Sequence, residues 1–172
     1  MKDSLTLYKE LLNTIDSHFE KVKQLQKDEM RCVKGCSSCC INDLTVCSVE
    51  AYYMKKAISN KKFNASYADE NNCIFLIDNE CSIYEHRPIV CRTQGLPLLY
   101  ERHNHDGEKE LSVCEKNFLN NILPESILDM EKINTALVLI NKMFETEYVW
   151  ADIHVCPTNS SIKRFTFKEI TI

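Results

Sequence analysis

The chain has 172 residues, with ten cysteines, only three glycines and a net charge of −4. That length supports one domain with its own hydrophobic core, so covalent staples are not needed merely to fold. The acidic balance, with no basic run longer than two residues, lacks the electrostatic footprint of a nucleic-acid binder.

The first residues, Met1-Lys2-Asp3-Ser4-Leu5-Thr6, carry neither the basic n-region nor the apolar h-region of a secretory signal. No apolar run approaches the roughly 18 residues that cross a bilayer. The expectation is a cytoplasmic protein without a membrane partner, whose thiols stay reduced. In that setting clustered cysteines point to metal or redox chemistry rather than a disulfide framework.

In chain order, Leu5, Tyr8, Leu11, Leu12, Ile15, Phe19, Val22 and Leu25 recur at steps of three and four. They predict an amphipathic packing helix over residues 4 to 30. Next comes a cysteine loop over 32 to 47, beginning Cys32-Val-Lys-Gly-Cys36-Ser-Ser-Cys39-Cys40. Ser48 reads as the N-cap of a second helix from Val49 to Ile58. After a polar connection, Cys73 to Ile77 and Cys81 to Tyr84 flank Asp78-Asn79-Glu80, which predicts a hairpin with a cysteine near each end.

Arg87-Pro88 opens a short helical turn holding Cys91 and Arg92, since proline is tolerated at the first helical position. Leu96 to Tyr100 and Lys109 to Val113 form a second hairpin around an Asp106-Gly107 turn, with Cys114 where the return strand ends. A third long helix is predicted from Glu125 to Tyr148, with Ile127, Met130, Ile133, Leu137, Ile140 and Phe144 on one face. The tail shows a weak alternation in Phe165, Phe167 and Ile170. With no repeat and no linker, the expected architecture is a single small α+β domain over residues 1 to 172. It has three main helices and short hairpins gathered around a cysteine metal site.

Packing alone does not call for four thiols within nine residues. Thiolates suit zinc, iron–sulfur clusters and cuprous copper, and Gly35 gives the loop backbone freedom. Neighbouring side chains usually diverge, so Cys39-Cys40 suggests either a polynuclear centre or one ligand beside a thiol with another role. A tetrahedral zinc and a cubane cluster each need four ligands. The candidate ligands are Cys32, Cys36, Cys39, Cys40, Cys73, Cys81, Cys91 and Cys114, enough for two sites or one over-supplied site. Cys47 and Cys156 stand apart and read as small buried hydrophobes.

Arg87 and Arg92 are candidate cofactor-binding residues, offsetting thiolate charge or holding an anion; the bland alternative is that they cap carbonyls. Tyr84 is expected to pack. His86, His103 and His105 are weaker ligand candidates, the last two beside a polar turn.

The spacing Cys32-x3-Cys36-x2-Cys39 coincides with the cluster triad of radical S-adenosylmethionine enzymes. The alternating β/α pattern of their barrel is missing here, and the glycines form neither a dinucleotide fingerprint nor a phosphate loop. A closer match lies elsewhere. Cys-x3-Cys-x2-Cys-Cys, Cys73-Ile-Phe-Leu and Cys81-Ser-Ile-Tyr84-Glu-His-Arg87-Pro88-Ile-Val-Cys91-Arg92 resemble the YkgJ-type (CxxCxxCC) cysteine-cluster proteins. Thr93-Gln94-Gly95-Leu96-Pro97-Leu98 and Cys114-Glu-Lys-Asn117-Phe118 are similar to one branch of them.

The resemblance covers about residues 32 to 118, and departs in the three-residue first gap where the family pattern has two. It implies chelation of zinc or iron, and a distant relative, the flagellin lysine methylase, is associated with a cubane cluster and S-adenosylmethionine. The expectation is therefore a metal-holding protein, with iron–sulfur favoured over zinc for its adjacent cysteines and surplus ligands. Its alternatives are a metal-dependent enzyme modifying a protein substrate, by methyl transfer or redox chemistry, and a structural zinc module for protein interactions.

Overall fold

The computed structural model describes residues 2–41, 44–58, 73–102, 107–148 and 164–171. It mixes helices with small sheets, in the α+β class expected.

Helix α1 (Ser4–Leu25) starts where the Asp3 carboxylate accepts the Thr6 N–H at 2.8 Å. Its buried stripe, Tyr8, Leu12, Ile15 and Val22, follows the predicted spacing. The helix stops five residues earlier than the predicted end because Gln26 turns inward. Its amide donates to the Asn121 carbonyl (2.9 Å) and accepts from the Leu123 N–H (3.1 Å) and the Ser126 hydroxyl (2.6 Å). A polar residue drawn into these bonds ends the apolar stripe.

Strand β1 (Thr45–Cys47) leads directly into α2 (Ser48–Ile58). Ser48 is the first helical residue rather than the cap, and its hydroxyl donates to Glu145 at 2.8 Å. Instead, Glu50 reaches back to accept the Cys47 N–H (3.0 Å), and Asn141 accepts the Val49 N–H (3.0 Å).

The first hairpin, β2 (Leu76–Ile77) and β3 (Glu80–Cys81), pairs Leu76 with Cys81 and Ile77 with Glu80. Asp78 and Asn79 both take positive φ, at 50° and 61°, as a tight two-residue hairpin turn requires. A 3-10 turn at Tyr84–His86 leads to α3 (Ile89–Arg92), with Pro88 as its cap residue.

Strands β4 (Leu98–Glu101) and β5 (Lys109–Ser112) form the second hairpin, antiparallel from Leu98 opposite Ser112 to Glu101 opposite Lys109. A third strand, β6 (Leu128–Asp129), joins β4 in parallel and occupies what periodicity assigned to helix. Helix α4 (Met130–Glu147) therefore begins five residues later than predicted, capped by Asp129 accepting from the Glu131 and Lys132 N–H groups. Finally β7 (Arg164–Thr166) pairs antiparallel with β1, and α5 (Phe167–Thr171) follows it.

Two apolar clusters result. The first lies between α1 and α4, with Tyr8, Leu12, Ile15, Val22, Ile133, Ile140 and Phe144. The second gathers Val46, Met54, Phe75, Ile83, Phe165, Phe167 and Ile170 behind the first hairpin. Helix α2 walls both, giving Val49 to the first and Ala51, Met54 and Ile58 to the second.

Candidate metal centre

The loop carrying four cysteines is two consecutive turns. The Cys36 N–H donates to the Val33 carbonyl (3.0 Å), and the Cys40 N–H to the Ser37 carbonyl (2.9 Å). Gly35 sits at φ +88° with open space where a Cβ would point, so its glycine identity answers to the backbone alone.

On one side the loop is tied to the first hairpin. Lys34 pairs with Glu80 at 3.0 Å, the Ser37 hydroxyl meets Asn79 at 3.4 Å, and the Cys73 N–H donates to the Cys40 carbonyl at 3.1 Å. On the other side it is tied to the turn after β5. The Asn117 side-chain Oδ1 accepts the Arg31 N–H (2.8 Å), its Nδ2 donates to the Cys32 sulfur (3.2 Å) and the Gly95 carbonyl (2.8 Å), and Lys116 donates to the Ser38 hydroxyl (3.1 Å).

The thiols fall into two neighbourhoods. Cys40, Cys73, Cys81 and Cys91 all pack against the second apolar cluster. Burial, then the thiols of Cys73 and Cys81, push the Cys91 thiol well above the usual range, against the pull of Arg87. Burial likewise raises Cys73 to about 11. Cys32 lies apart, beside Cys114 and Cys36. Burial raises it first, the Asn117 amide opposes, and Cys114, Cys36 and Cys39 add to the rise.

Cys39 acts electrostatically on Cys32 and Cys91 and bonds directly to Cys40. Its thiol shares a hydrogen bond with Cys40, so the adjacent pair releases one proton early, Cys39 falling to about 6 while Cys40 is pushed far up. Arg87 and Lys116 also favour the Cys39 thiolate, though less than the Cys40 bond does. All eight predicted ligands are thus described. Among the described residues no three His, Cys, Asp or Glu side chains stand close enough to hold an ion in this arrangement. The sulfurs have to draw together to bind one.

The two arginines differ. Arg87 donates Nε–H to the Tyr84 carbonyl (3.0 Å), lies 3.6 Å over the Tyr84 ring and acts on Cys39 and Cys91. Arg92 is buried, with its guanidinium donating to the Asp16 carboxylate and to the carbonyls of Glu85 and Arg87. Tyr84 is exposed rather than packed inside, its ring covered by Arg87, and Ile83 takes the place in the apolar cluster. His86 lies 4.9 Å from the Tyr53 ring, while His103, His105 and Cys156 fall outside the described residues. Cys47 is buried beside Glu50, as a small core residue.

Asn117, Gly95 and Lys116 were not singled out as site residues by sequence reasoning. Their only signal was membership of the stretches 93–98 and 114–118, which carried part of the family resemblance.

The donor set suits a thiophilic metal, since thiolates select zinc and iron–sulfur clusters and either needs four of them. A comparison with models of protein families matches residues 16–115 to CxxCxxCC, described as "putative zinc- or iron-chelating domain". No match to the chain was found among curated proteins or among solved structures.

Proposed function

Because that match spans more than half of the chain, which therefore belongs to the CxxCxxCC family, we propose that it is a metal-holding protein whose cysteines bind an iron–sulfur centre in preference to zinc. One observation carries the reading: Cys40, Cys73, Cys81 and Cys91, from three separate segments, gather on one apolar cluster with Arg87 beside them. The two short strands of the hairpin and the turn of α3 carry these cysteines to one face of the cluster, from which a bound metal would draw the sulfurs together, and Cys39 shares a thiol hydrogen bond with Cys40.

A bound cluster would supply electron transfer or Lewis acidity, whereas zinc would supply a structural tie. The protein's own contribution is charge balance and desolvation. Arg87 offsets thiolate charge at Cys39 and Cys91. Burial at Cys73 and partial burial at Cys91 limit water at the sulfurs, a lever on cluster potential. The preference for iron–sulfur rests on the adjacent Cys39-Cys40 pair and on a thiol supply beyond what one zinc ion uses.

Anaerobic purification tests it. Brown protein with a broad visible absorption band and acid-labile sulfide is the expected result. Colourless protein with stoichiometric zinc would overturn the iron–sulfur preference, and protein free of any bound metal would overturn the reading.

A further inference from the structure

The sulfur of Cys32 is already held in place, by residues that are not themselves metal ligands. It accepts from Asn117 Nδ2–H at 3.2 Å. The same Nδ2 donates to the Gly95 carbonyl at 2.8 Å, and Asn117 Oδ1 accepts the Arg31 N–H at 2.8 Å. Because Arg31 offers a donor there, the amide oxygen has to face it, which commits the NH2 group to the sulfur and the carbonyl. Gly95 lies at φ +94°, and a Cβ there would stand 2.6 Å from the Cys32 sulfur and 3.3 Å from Asn117 Nδ2. Backbone conformation and space both call for glycine at this position.

Asn117 in turn rests on the helical half of the molecule. It is buried, and its own N–H closes a turn to the Cys114 carbonyl at 2.9 Å. Phe118, next in the chain, takes φ +54°, a left-handed backbone that bulky side chains rarely adopt. There its N–H donates to the Glu29 carbonyl at 2.8 Å while its side chain joins the cluster between α1 and α4. The Glu29 carboxylate accepts from the Asn120 backbone N–H (3.2 Å) and side-chain amide (3.0 Å). Segment 117–120 is therefore docked on the chain just after α1, and Cys32 is docked through it.

A buried N–H aimed at a sulfur points beyond packing. A thiol sulfur is a weak acceptor, so the bond returns little where a cysteine merely fills space. A metal-bound sulfur carries thiolate charge, and hydrogen bonds to charged acceptors are roughly twice as strong. The bond therefore favours the metal-bound state over the free one, and such bonds to sulfur are a lever on cluster potential.

We propose that Asn117 and Gly95 are positioning residues that hold Cys32 as a fixed ligand of the metal centre, Asn117 through its N–H···S bond and Gly95 through its missing Cβ. The inference rests on the metal-holding reading above and deepens it. The thiol proton passes to solvent as the sulfur takes the metal, and the amide bond to the sulfur remains. Since the sulfurs have to draw together to bind an ion, the centre assembles toward the one already fixed.

Cadmium-113 is the first probe, bound to the metal-free full chain under anaerobic reducing conditions and read by nuclear magnetic resonance. The expected result is scalar coupling from the metal to the Cys32 Hβ protons and, across the hydrogen bond, to an Asn117 Nδ2 proton. Zinc affinity, read by chelator competition, is the second measurement. Asn117→Ala and Gly95→Ala should each weaken it about tenfold to a hundredfold. In a Cys32→Ser background, Asn117→Ala should add no more than about twofold, because its effect runs through the sulfur already removed.

A merely structural Asn117 would weaken zinc equally in both backgrounds, and that result would overturn the inference. So would bound cadmium without coupling to both residues, which leaves the metal-holding reading standing. A chain that takes neither cadmium nor zinc would overturn both. The cadmium spectrum uses the unsubstituted chain, so it decides the matter even where a variant fails to fold.

Discussion

The two apolar clusters lie side by side yet are held by different means. The cluster between α1 and α4 rests on helices of 22 and 18 residues, whose backbone bonds are satisfied internally. Apart from α2, which it shares with the first, the cluster behind the thiols is bounded by two-residue strands, a three-residue strand pair and helices of four and five residues. Such short elements are marginal unless something else orders them. The first half gains its order from apolar burial. The second half, with Cys40, Cys73, Cys81 and Cys91 packed into its wall, is where a metal held by these thiols would contribute most to folding.

Metal removal gives the largest expected effect, because structural zinc in small thiolate sites supplies on the order of 10 kcal/mol of folding free energy. Stripping the metal-loaded chain with a chelator and following amide hydrogen exchange should abolish protection across 73–92. The inward stripes of α1 and α4 should stay protected. Simultaneous loss in both halves would show that they open as one unit and would break the contrast.

Arg92 ties the halves together. From α3 it reaches Asp16 on α1 and holds the carbonyls of Glu85 and Arg87. Arg92→Ala should cost about 2–3 kcal/mol in chemical denaturation, the scale of hydrogen bonds to a charged group whose partners lose their donor. Arg92→Lys should recover only part, since one ammonium cannot span three acceptors. An unchanged midpoint for Arg92→Ala would mean that the halves are joined by packing alone.

The contrast also explains what was legible in the sequence. α1 and most of α4 follow from periodicity, and α2 from the residues at its ends, because their order is local, and Asp78-Asn79 announces its turn for the same reason. Gln26 shortening α1 and β6 replacing the start of α4 depend on partners about a hundred residues away or on strand β4, beyond what a periodic pattern can report. Phe165, Phe167 and Ile170 were visible as an apolar alternation, but not that β7 would pair with β1. At the thiols, the chelating chemistry was legible, since it is carried by the residue type itself. The setting of Cys32 was not, because it depends on Asn117 and Gly95, two ordinary residues whose role is only spatial.

Glu50 supplies the second tie and the smallest effect. Its carboxylate is 2 % exposed and accepts the Cys47 N–H from its own helix start and the Ile89 N–H from the start of α3. Burial raises its proton affinity above that of an ordinary glutamate, and the two backbone donors only partly oppose this. The folded state therefore holds this proton more tightly than the unfolded chain, whose glutamates titrate near about 4.3. The Glu50 contribution is fully present below that value and is lost as pH rises through the higher folded-state value. Glu50→Gln does not titrate and sets an amide NH2 against one of the two N–H groups, at a cost of about 1–2 kcal/mol. Paired denaturation curves should show the largest gap between wild type and Glu50→Gln in acid, narrowing as pH rises. A gap that widens with pH would mean that the charged carboxylate is the form the fold prefers, and that the tie between the halves is ionic.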